Sequence, residues 1–406
     1  MSFRISLSGM NAASSDLNVV SNNIANTNTT GFKSSRAEFG DVFAASVYGV
    51  SSNATGAGAR LQRVAQQFTQ GNIDFTGNSL DMAVSGQGFF TLSDNGSTVY
   101  SRAGNFSTDA SGYVVNPSGQ RLQVFAPNED GTSFNTGKLS DLQLATGDAP
   151  PKVTSKIQAS VTLPGNASVP TNSPFNAADP TTYNQTTSLT VYDSLGAAHS
   201  QSLYFTKTAN PNEWTVQTQI DGVSVGGPQT VTYNSAGALV SPTNGVLTLP
   251  AYTPPGGAGA MALSLDLSKS AQYGQKFAVS ALNQDGYGTG SLSGISVSSE
   301  GVVQASYSNG VTKAIGQVAL SSFASPQGLQ QKGDNAFAET FASGQAVRGA
   351  AGTSDFGLVQ GGALEASNVD QTAELVSMIS AQRNFQANAQ MIQTQDQITQ
   401  TIINLR

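Results

Sequence analysis

The N-terminal end of the chain carries a helical pattern of apolar residues. Large apolar side chains recur there at intervals of three and four residues, with Ser14 and Ser21 taking two of the intermediate positions. This spacing is typical of the a and d positions of a coiled coil and predicts an amphipathic helix over residues 1–30. The Asn-, Thr- and Gly-rich run 22–31 predicts where that helix ends. The predicted seam consists of Phe3, Leu7, Met10, Leu17 and Ile24, with Ala13 and Val20 beside it.

The C-terminal end repeats this pattern over a longer stretch, 366–406. Ser367 is the predicted N-cap, with Asp370 three residues later, and neither Gly nor Pro follows before Arg406. Two apolar stripes run side by side, separated mostly by Gln, Asn and Thr. A helix with more than one apolar face needs more than one partner. The first stripe comprises Leu375, Met378, Phe385, Ala389 and Ile392, and the second comprises Val376, Ile379, Ala387, Met391, Ile398 and Ile402.

Residues 72–365 have a different pattern, with short β-rich runs between Gly turns. One run, Ala262–Leu267, alternates apolar and polar residues with the period of a half-buried strand. Turn signals such as Asn95-Gly96 separate these runs. The sequence therefore predicts a β-rich middle. Its other clear strands are Gly88–Leu92, Ser202–Thr206 and Trp214–Ile220.

Two segments poor in strand signals, 165–186 and 250–260, bracket an internal module. We therefore predict a mainly β chain with α-helical termini. The N- and C-terminal helices form a coiled-coil-like pair, followed by two β-rich domains, the outer one inserted into the inner one. The predicted inner domain comprises residues 72–147 and 286–362, the outer domain comprises 148–285, and 31–71 form a linker segment.

The two-faced terminal helices allow two interpretations. Isolated helices of this length are marginal in water, so their apolar faces need partners. Neighbouring subunits of an assembly would cover both faces. An intramolecular helical hairpin packed on the β domain would do so as well, and periodicity alone leaves both possibilities open.

The composition excludes several classes of protein. The chain of 406 residues has 18 Lys and Arg against 25 Asp and Glu, a net charge of −7 that argues against nucleic-acid binding. Charged residues make up 11 %, against about 25 % in an ordinary domain. Low charge suits interface cores, although secreted β proteins share a Ser-, Thr- and Asn-rich surface. No apolar run approaches the roughly 18 residues of a membrane span, and the N-terminus lacks the apolar stretch of a cleaved signal peptide.

Catalytic chemistry has few candidates in this sequence. The chain has no Cys and one His, which excludes most metal sites and most catalytic mechanisms that rely on Cys or His. We expect His199 in a hairpin loop. A hydrolase triad of His199 and Asp193 with Ser200 or Ser202 lacks the surroundings of a nucleophile elbow.

The Gly-rich runs and paired carboxylates have a simpler structural interpretation. Neither Gly86–Gly88 nor Gly286–Gly290 falls in a strand–turn–helix unit, so both are predicted to be tight β turns rather than phosphate loops. Glu129 and Asp130 lie in a Gly-rich turn, where we expect them to be solvated. We predict no catalytic, cofactor-binding or metal-binding residues.

Several motifs resemble those of bacterial flagellar rod and hook axial proteins. The N-terminal signature is carried by Gly9–Ala13 and Asn22–Lys33, the inner β domain by Leu80–Phe90 and Tyr100–Phe106, and the C-terminal signature by Gly362–Asp370 and Ala381–Asn388. The signature residues are Asn22, Asn23, Asn26, Gly31, Phe32, Lys33, Gly86, Gly88, Phe89 and Phe90.

Within this family, Val191–Gly196 and Asn283–Leu292 resemble the hook members, whereas rod members lack an outer domain of this size. The resemblance implies a self-assembling tube outside the cell that acts as a flexible universal joint in the flagellum. It implies that the terminal helices contact neighbouring subunits through eleven apolar residues. They are Phe3, Leu7, Met10, Leu17, Ile24, Leu375, Met378, Ile379, Phe385, Ile392 and Ile398. Residues 31–71 would also touch neighbouring subunits, although the run Tyr48–Ala59 is equally compatible with a flexible linker.

The partners implied are further copies of the chain, the hook cap, the distal rod, the hook–filament junction proteins and the flagellar type III export apparatus, which would export the chain without a cleaved signal peptide. A distal rod or junction protein is the alternative within the family. A secreted carbohydrate-binding or adhesive β protein is the alternative outside it, but it leaves the two-faced terminal helices unexplained.

Overall fold

The chain forms a mainly β structure with one α-helix at each end. The computed structural model describes residues 2–42, 56–128, 131, 133–144, 147–353 and 355–404, without the side chains of Ser2 and Ile402. The chain divides into two compact units. Unit 1 comprises Met1–Leu144, Gly294–Ala305 and Thr312–Arg406, and unit 2 comprises Ala145–Ser293 and Ser306–Val311.

The helices are α1 (Ser2–Ala25) and α2 (Gln371–Asn404), and two short 3-10 helices span Pro180–Thr182 and Pro326–Gly328. The first ten strands are β1 (Ser35–Asp41), β2 (Ala59–Gln66), β3 (Ile73–Phe75), β4 (Met82–Ser85), β5 (Phe89–Asp94), β6 (Ser97–Ser101), β7 (Ser107–Thr108), β8 (Val114–Val115), β9 (Arg121–Pro127) and β10 (Phe134–Asp141). The next eleven are β11 (Lys156–Pro164), β12 (Gln185–Tyr192), β13 (Ala198–Lys207), β14 (Glu213–Ile220), β15 (Val223–Ser224), β16 (Gln229–Tyr233), β17 (Leu239–Ser241), β18 (Val246–Thr248), β19 (Ser264–Asp266), β20 (Ala271–Tyr273) and β21 (Ala278–Gln284). The last eight are β22 (Leu292–Val297), β23 (Val302–Tyr307), β24 (Thr312–Ser322), β25 (Gln330–Gly333), β26 (Ala336–Ala338), β27 (Val347–Ala350), β28 (Leu358–Gly361) and β29 (Ala363–Glu365).

The β core of unit 1 is built on a sheet with the strand order β22-β23-β24-β9-β5-β6-β26-β25. Antiparallel pairing places β24, from late in the chain, beside β5 and β9 from early in the chain. Phe90, Leu92, Leu122 and Leu320 are fully buried in the cluster that these strands share. The interior of unit 1 therefore depends on residues more than 200 positions apart.

Three small antiparallel pairs complete unit 1. They are β1 with β2, β28 with β4 and β29 with β3. In the last pair Glu365 lies opposite Ile73, so the segment before α2 is fixed beside the segment that follows β2. This pairing holds the residues that lead into α2 beside residues that follow α1, β1 and β2.

Unit 2 consists of two sheets around one core. One has the order β18-β19-β11-β20 with β21 also on β11, and the other has the order β12-β13-β14-β16-β17. Side chains along β13 and β14 alternate between buried and partly exposed, as the period of a strand requires. Trp214 is fully buried, and its indole nitrogen donates to Gln272 Oε1 over 3.0 Å.

The structure confirms the predicted fold class and most of the predicted elements. The strand predicted at Trp214–Ile220 is β14. Of the two segments predicted to be poor in strands, 165–186 includes only the first two residues of β12, and 250–260 contains one isolated bridge at Tyr252. The linker segment 31–71, for which we predicted no element, contains β1 and β2. The predicted insertion and its boundaries stay predictions.

The predicted N-cap of α2 at Ser367 was wrong. The helix begins at Gln371, and Asp370 caps it by accepting hydrogen bonds from the amides of Thr372 and Ala373. A carboxylate at this position satisfies free amides and complements the positive end of the helix dipole. Asp370 therefore serves as the cap itself.

Candidate assembly interface

The two terminal helices pack against each other in antiparallel orientation. Asn23 Nδ2 of α1 donates to Glu374 Oε1 of α2 over 3.0 Å. Toward the other end of α1, Gly9 lies so close to α2 that a β-carbon there would come within 2.5 Å of Asn388 Oδ1. Residue numbers therefore fall along α2 as they rise along α1. The helix pair predicted from the sequence is confirmed.

Along α2, four of the five residues of the first apolar stripe lie on the side of α1. Ala381 is buried, the only such side chain among those described in this helix, and Met378, Phe385, Ala389 and Ile392 are half-buried. Met378, Ala381, Phe385 and Ile392 share the alternating three- and four-residue spacing of Glu374 and Asn388, which contact α1. One face of α2 is thus covered within the chain.

The second stripe of α2 has no cover in the described structure. Val376 is 60 % exposed, Ile379 is 50 % exposed and Met391 is 58 % exposed. A row of large apolar side chains in water marks a contact surface when the row is continuous. The remaining exposed members of the two stripes are Leu375, Ala387 and Ile398.

α1 buries a line of residues beside the predicted seam. Ser6, Ala13, Val20 and Asn23 are buried, and they are smaller than the seam residues. Small side chains let two helices approach closely, as Gly9 does. The seam residues Met10, Leu17 and Ile24 are half-buried, and Phe3 and Leu7 are exposed.

The Asn-rich signature fixes the chain as it leaves α1. Asn23 is 1 % exposed, and its amide group exchanges two hydrogen bonds of 2.8 Å with the backbone of Ser35. Asn26 donates from Nδ2 to the carbonyl of Asn22 over 2.9 Å. A side-chain amide can donate and accept at once, so Asn23 connects α1, α2 and β1 through one group.

Gly31 is required by both its conformation and its surroundings. Its φ is +67°, and a β-carbon there would come within 2.5 Å of the backbone nitrogen of Ala103. Its amide donates to the carbonyl of Glu365 over 2.7 Å. The turn after α1 is therefore packed directly against the segment before α2.

Lys33 follows this turn and enters a buried ionic cluster. Its ammonium nitrogen lies 2.7 Å from Glu365 Oε1, and both side chains are fully buried. Arg102 Nη1 lies 3.5 Å from Glu365 Oε2, and Arg102 Nη2 donates to the carbonyl of Gly86 over 2.9 Å. Loss of water lowers the pKa of Lys33, against the attraction of Glu365. We call Lys33, Arg102 and Glu365 the anchor cluster, because they join the segments beside both helices to the β core.

The remaining signature residues place aromatic rings on two sides of β5. Phe90 packs edge-on against Phe106 in the interior, with centroids 5.5 Å apart. Phe89 lies among other aromatic rings on the opposite side, with the Arg102 guanidinium 5.2 Å from its centroid. Gly86 and Gly88 have φ values of +113° and +125°, which glycine favours, in the turn between β4 and β5.

The residues considered for catalysis have structural contacts. His199 lies in β13, so its expected position in a hairpin loop was wrong, because the strand begins one residue earlier. Its Nδ1 lies 2.5 Å from Asp221 Oδ2 and its Nε2 lies 3.3 Å from Asp193 Oδ2. Both ring nitrogens therefore face carboxylates. No local pattern pointed to Asp221, which is 22 positions away from His199.

Gly86–Gly88 forms the short turn between β4 and β5, as predicted. The prediction of a tight turn at Gly286–Gly290 was wrong, because Tyr287 and Gly290 form isolated antiparallel bridges with Lys152 and Ala149 in this stretch between β21 and β22. Glu129 and Asp130 lie outside the described residues. Within the described part of the chain, no three His, Asp or Glu side chains are grouped to hold a metal ion. No helix described there is long and apolar enough to cross a membrane.

Four segments of the chain, among them those that contain the two terminal helices, match families of flagellar axial proteins. Residues 3–33 match the family "Flagella basal body rod protein", 83–172 "Flagellar hook protein FlgE/F/G D1 domain", 162–287 "Flagellar basal body protein FlaE D2 domain" and 360–405 "Flagellar basal body rod FlgEFG protein C-terminal".

Relatives that align over their full length show which family within this class the chain belongs to. The chain is 39 % identical to the flagellar hook protein FlgE of Salmonella typhimurium and 39 % identical to that of Escherichia coli, over all of each chain. It is 34 % identical to that of Rhizobium meliloti over 99 % of this chain and 98 % of the relative. The chain belongs to the flagellar hook protein family.

A solved structure shares the fold. The flagellar hook protein FlgE2 of Helicobacter pylori matches 72 % of this chain and 100 % of its own, with a TM-score of 0.55 and 16 % identity.

Proposed function

We propose that the chain is the structural subunit of the flagellar hook, a tubular homopolymer that transmits torque from rod to filament as a flexible joint. Full-length similarity to hook proteins supports this proposal. The observation that carries it is the second stripe of α2, which stays exposed although α2 is already paired with α1. We infer that neighbouring subunits cover this stripe in the tube.

The polar surface between these contacts is suited to bending. Charged residues are only 11 % of the chain, so subunits can slide past one another without desolvating many charged side chains. Stiff β units would move relative to each other while the helices keep the tube closed.

The same proposal covers how the chain is exported, where it is assembled and which proteins adjoin it. The chain would be exported without a cleaved signal peptide by the flagellar type III apparatus and assembled outside the cell beneath the hook cap. Its neighbours would be the distal rod and the hook–filament junction proteins. Its role would be structural, which the similarity to hook proteins supports. Both nitrogens of His199 face carboxylates.

Substitution of Ile379 tests the assembly proposal. Ile379→Asp places a charge on the exposed stripe, so we expect a folded monomer that forms no tubes. Ile379→Leu, the control, preserves the apolar surface and should form tubes. Electron microscopy and sedimentation measure assembly, and circular dichroism measures folding. Tubes of normal yield from Ile379→Asp would contradict the proposal.

Truncation separates a hook subunit from an adhesive β protein. A chain lacking residues 370–406 should retain both β cores and lose polymerisation entirely. If the truncated chain instead retained binding to carbohydrate or cell surfaces as a soluble protein, the adhesive alternative would be favoured.

A further inference from the structure

The segment that joins β21 to β22 is held within unit 2 by its backbone. Tyr287 and Lys152 exchange two backbone hydrogen bonds, of 2.9 and 3.0 Å. The amide of Ala149 donates to the carbonyl of Gly290 over 2.8 Å. The segment lies in the run Asn283–Leu292, one of the two that resemble hook members, and the proposed function gives this run no role of its own.

The turn between β23 and β24 rests on this segment. Asn309 Nδ2 donates to the carbonyl of Gly288 over 2.8 Å, and Asn309 Oδ1 accepts the amide of Val311 over 3.1 Å. Gly290 packs so closely that a β-carbon there would come within 2.6 Å of Asn309 Cγ. One side-chain amide therefore fixes the turn and ties it to the segment at once. We call Asn309, Gly288 and Gly290 the clasp.

The hairpin formed by β23 and β24 is shared between the units. Its turn, Ser306–Val311, belongs to unit 2, whereas Gly294–Ala305 and Thr312–Arg406 belong to unit 1. Beside the clasp, the amide of Ser308 donates to the carbonyl of Ser291 over 2.9 Å, a further bond within unit 2. The covalent chain therefore runs from the clasp directly into both strands of the hairpin.

β24 is an internal strand of the unit 1 sheet. It pairs with β23, β9, β5 and β27, and its residues Val318 and Leu320 are fully buried. The other two places where the chain passes between the units follow β10 and precede β22. Among the described strands, β10 pairs with β9 alone and β22 with β23 alone, so both are edge strands. An edge strand is held by one ladder of hydrogen bonds and an internal strand by two, so the hairpin leads into the more firmly held strand.

We propose that the clasp makes the β23–β24 hairpin a load-bearing link, through which force on unit 2 reaches the interior of unit 1. This inference rests on the proposed function, because such a link matters in a subunit that carries torque. With the clasp closed, force is shared between the hairpin and the two edge strands. With the clasp open, the edge strands carry the force alone, and they detach from the sheet more readily.

Hydrogen exchange of the full-length monomer tests the clasp itself. Asn309→Asp keeps the acceptor for the Val311 amide and loses the donor for the Gly288 carbonyl. Asn244→Asp is the matched control, because Asn244 also precedes a glycine, accepts the amide two residues later over 3.1 Å and lies in unit 2. Asn309→Asp should speed exchange of the β24 amides about tenfold, since a carbonyl loses its partner. Asn244→Asp should leave them at the parent rate.

A second pair of variants opens the clasp from its other side. Gly290→Ala would drive Asn309 away, whereas a β-carbon at Gly294 meets no atom of the described residues within 4 Å. Gly290→Ala should reproduce the faster exchange in β24, and Gly294→Ala should not. Parent rates in both Asn309→Asp and Gly290→Ala would overturn the clasp. An equal increase in β12–β14 would overturn it as well, because the effect would then be a general loss of stability.

Tubes of the same variants test the load. Asn309→Asp and Asn244→Asp are polymerised in ammonium sulfate and should form tubes at the same concentration. After equal shear, electron microscopy should show shorter tubes for Asn309→Asp, and equal lengths would overturn the load-bearing role. A parent chain that forms no tubes would overturn the proposed function and the load-bearing role with it, while the exchange rates would still decide whether the clasp holds β24.

Discussion

At the residue scale, the anchor cluster differs from the other ion pairs of unit 1. Glu365 is fully buried with Lys33, and Arg102 is 5 % exposed, whereas Glu38 pairs with two arginines at the surface. Breaking a buried pair leaves an uncompensated charge away from water, while a surface pair contributes little. The stability of unit 1 should therefore depend on Glu365 far more than on Glu38.

Glu365→Gln should lower the free energy of unfolding of unit 1 by about 3–5 kcal/mol. Glu38→Gln, the matched control, should leave this free energy nearly unchanged, because water screens an ion pair at the surface. Native-state hydrogen exchange of β5 measures unit 1. The fluorescence of Trp214, the one tryptophan of the chain, measures unit 2 and should not change. Equal effects of the two substitutions would contradict the role of the anchor cluster.

His199 gives unit 2 a dependence on pH. Both ring nitrogens can donate to the facing carboxylates only when the imidazole is protonated. The hydrogen bond to Asp221, followed by the contact with Asp193, raises the pKa of His199, and the same bond lowers the pKa of Asp221. The contribution of His199 to stability is fully present below its unfolded pKa of about 6.5 and is lost as pH rises through the raised folded value.

We expect unit 2 to unfold at a lower urea concentration at pH 9 than at pH 6, as measured by Trp214 fluorescence. His199→Gln should remove most of this difference. On the acid side, the contribution of Asp221 is present above about pH 3.9 and is lost as pH falls through its lowered pKa. Equal midpoints for the parent chain at pH 6 and pH 9 would show that the paired imidazolium does not stabilise unit 2.

At the element scale, the two helices have unequal lengths. α1 has 24 residues and α2 has 34. Because Gly9 lies opposite Asn388 in an antiparallel pair, the last turns of α2 extend past the start of α1, by about 10–15 Å at 1.5 Å per residue. Ile398 and Ile403 on these turns are 48 % and 66 % exposed.

This overhang should be the less stable part of α2 in a single subunit. Amides of residues 396–404 should exchange with solvent faster than those of 375–392, because no facing helix supports them. Polymerisation should slow their exchange. Hydrogen exchange followed by mass spectrometry on monomer and tubes measures both, and uniform protection along α2 of the monomer would contradict this prediction.

Elements with strong local patterns could be predicted from the sequence, and those without could not. The alternation in β14 and the two stripes of α2 are periodic over many residues. β1 and β2 contain Arg36, Glu38, Arg60 and Arg63 with little apolar alternation, and their pairing with each other and with α1 stabilises them as strands. Local sequence carries little of that information.

At the scale of the whole molecule, the sequence indicated which residues matter but not what they contact. Asn23, Gly31 and Lys33 were recognised as a signature, yet their partners Ser35, Glu374 and Glu365 had no recognisable pairing signal. Lys33 and Glu365 are separated by 332 positions, so their ion pair depends on the complete fold of unit 1. Which of the two α2 stripes faces α1 also depends on the complete fold of unit 1.

The central claim is that the second stripe of α2 becomes buried between subunits. The chain has no cysteine, so single thiols can be placed in an unreactive background. Ile379→Cys places one on the stripe, and Leu195→Cys, on an exposed turn of unit 2, controls for access of the reagent to the tubes.

The most direct measurement is the rate of maleimide labelling of these two variants as monomers and as tubes. We predict that Ile379→Cys is labelled rapidly in the monomer and far more slowly in tubes. The change in the Leu195→Cys labelling rate shows how much of this slowing comes from poorer access of the reagent to tubes as a whole. Equal labelling of Ile379→Cys in monomers and tubes would contradict the account.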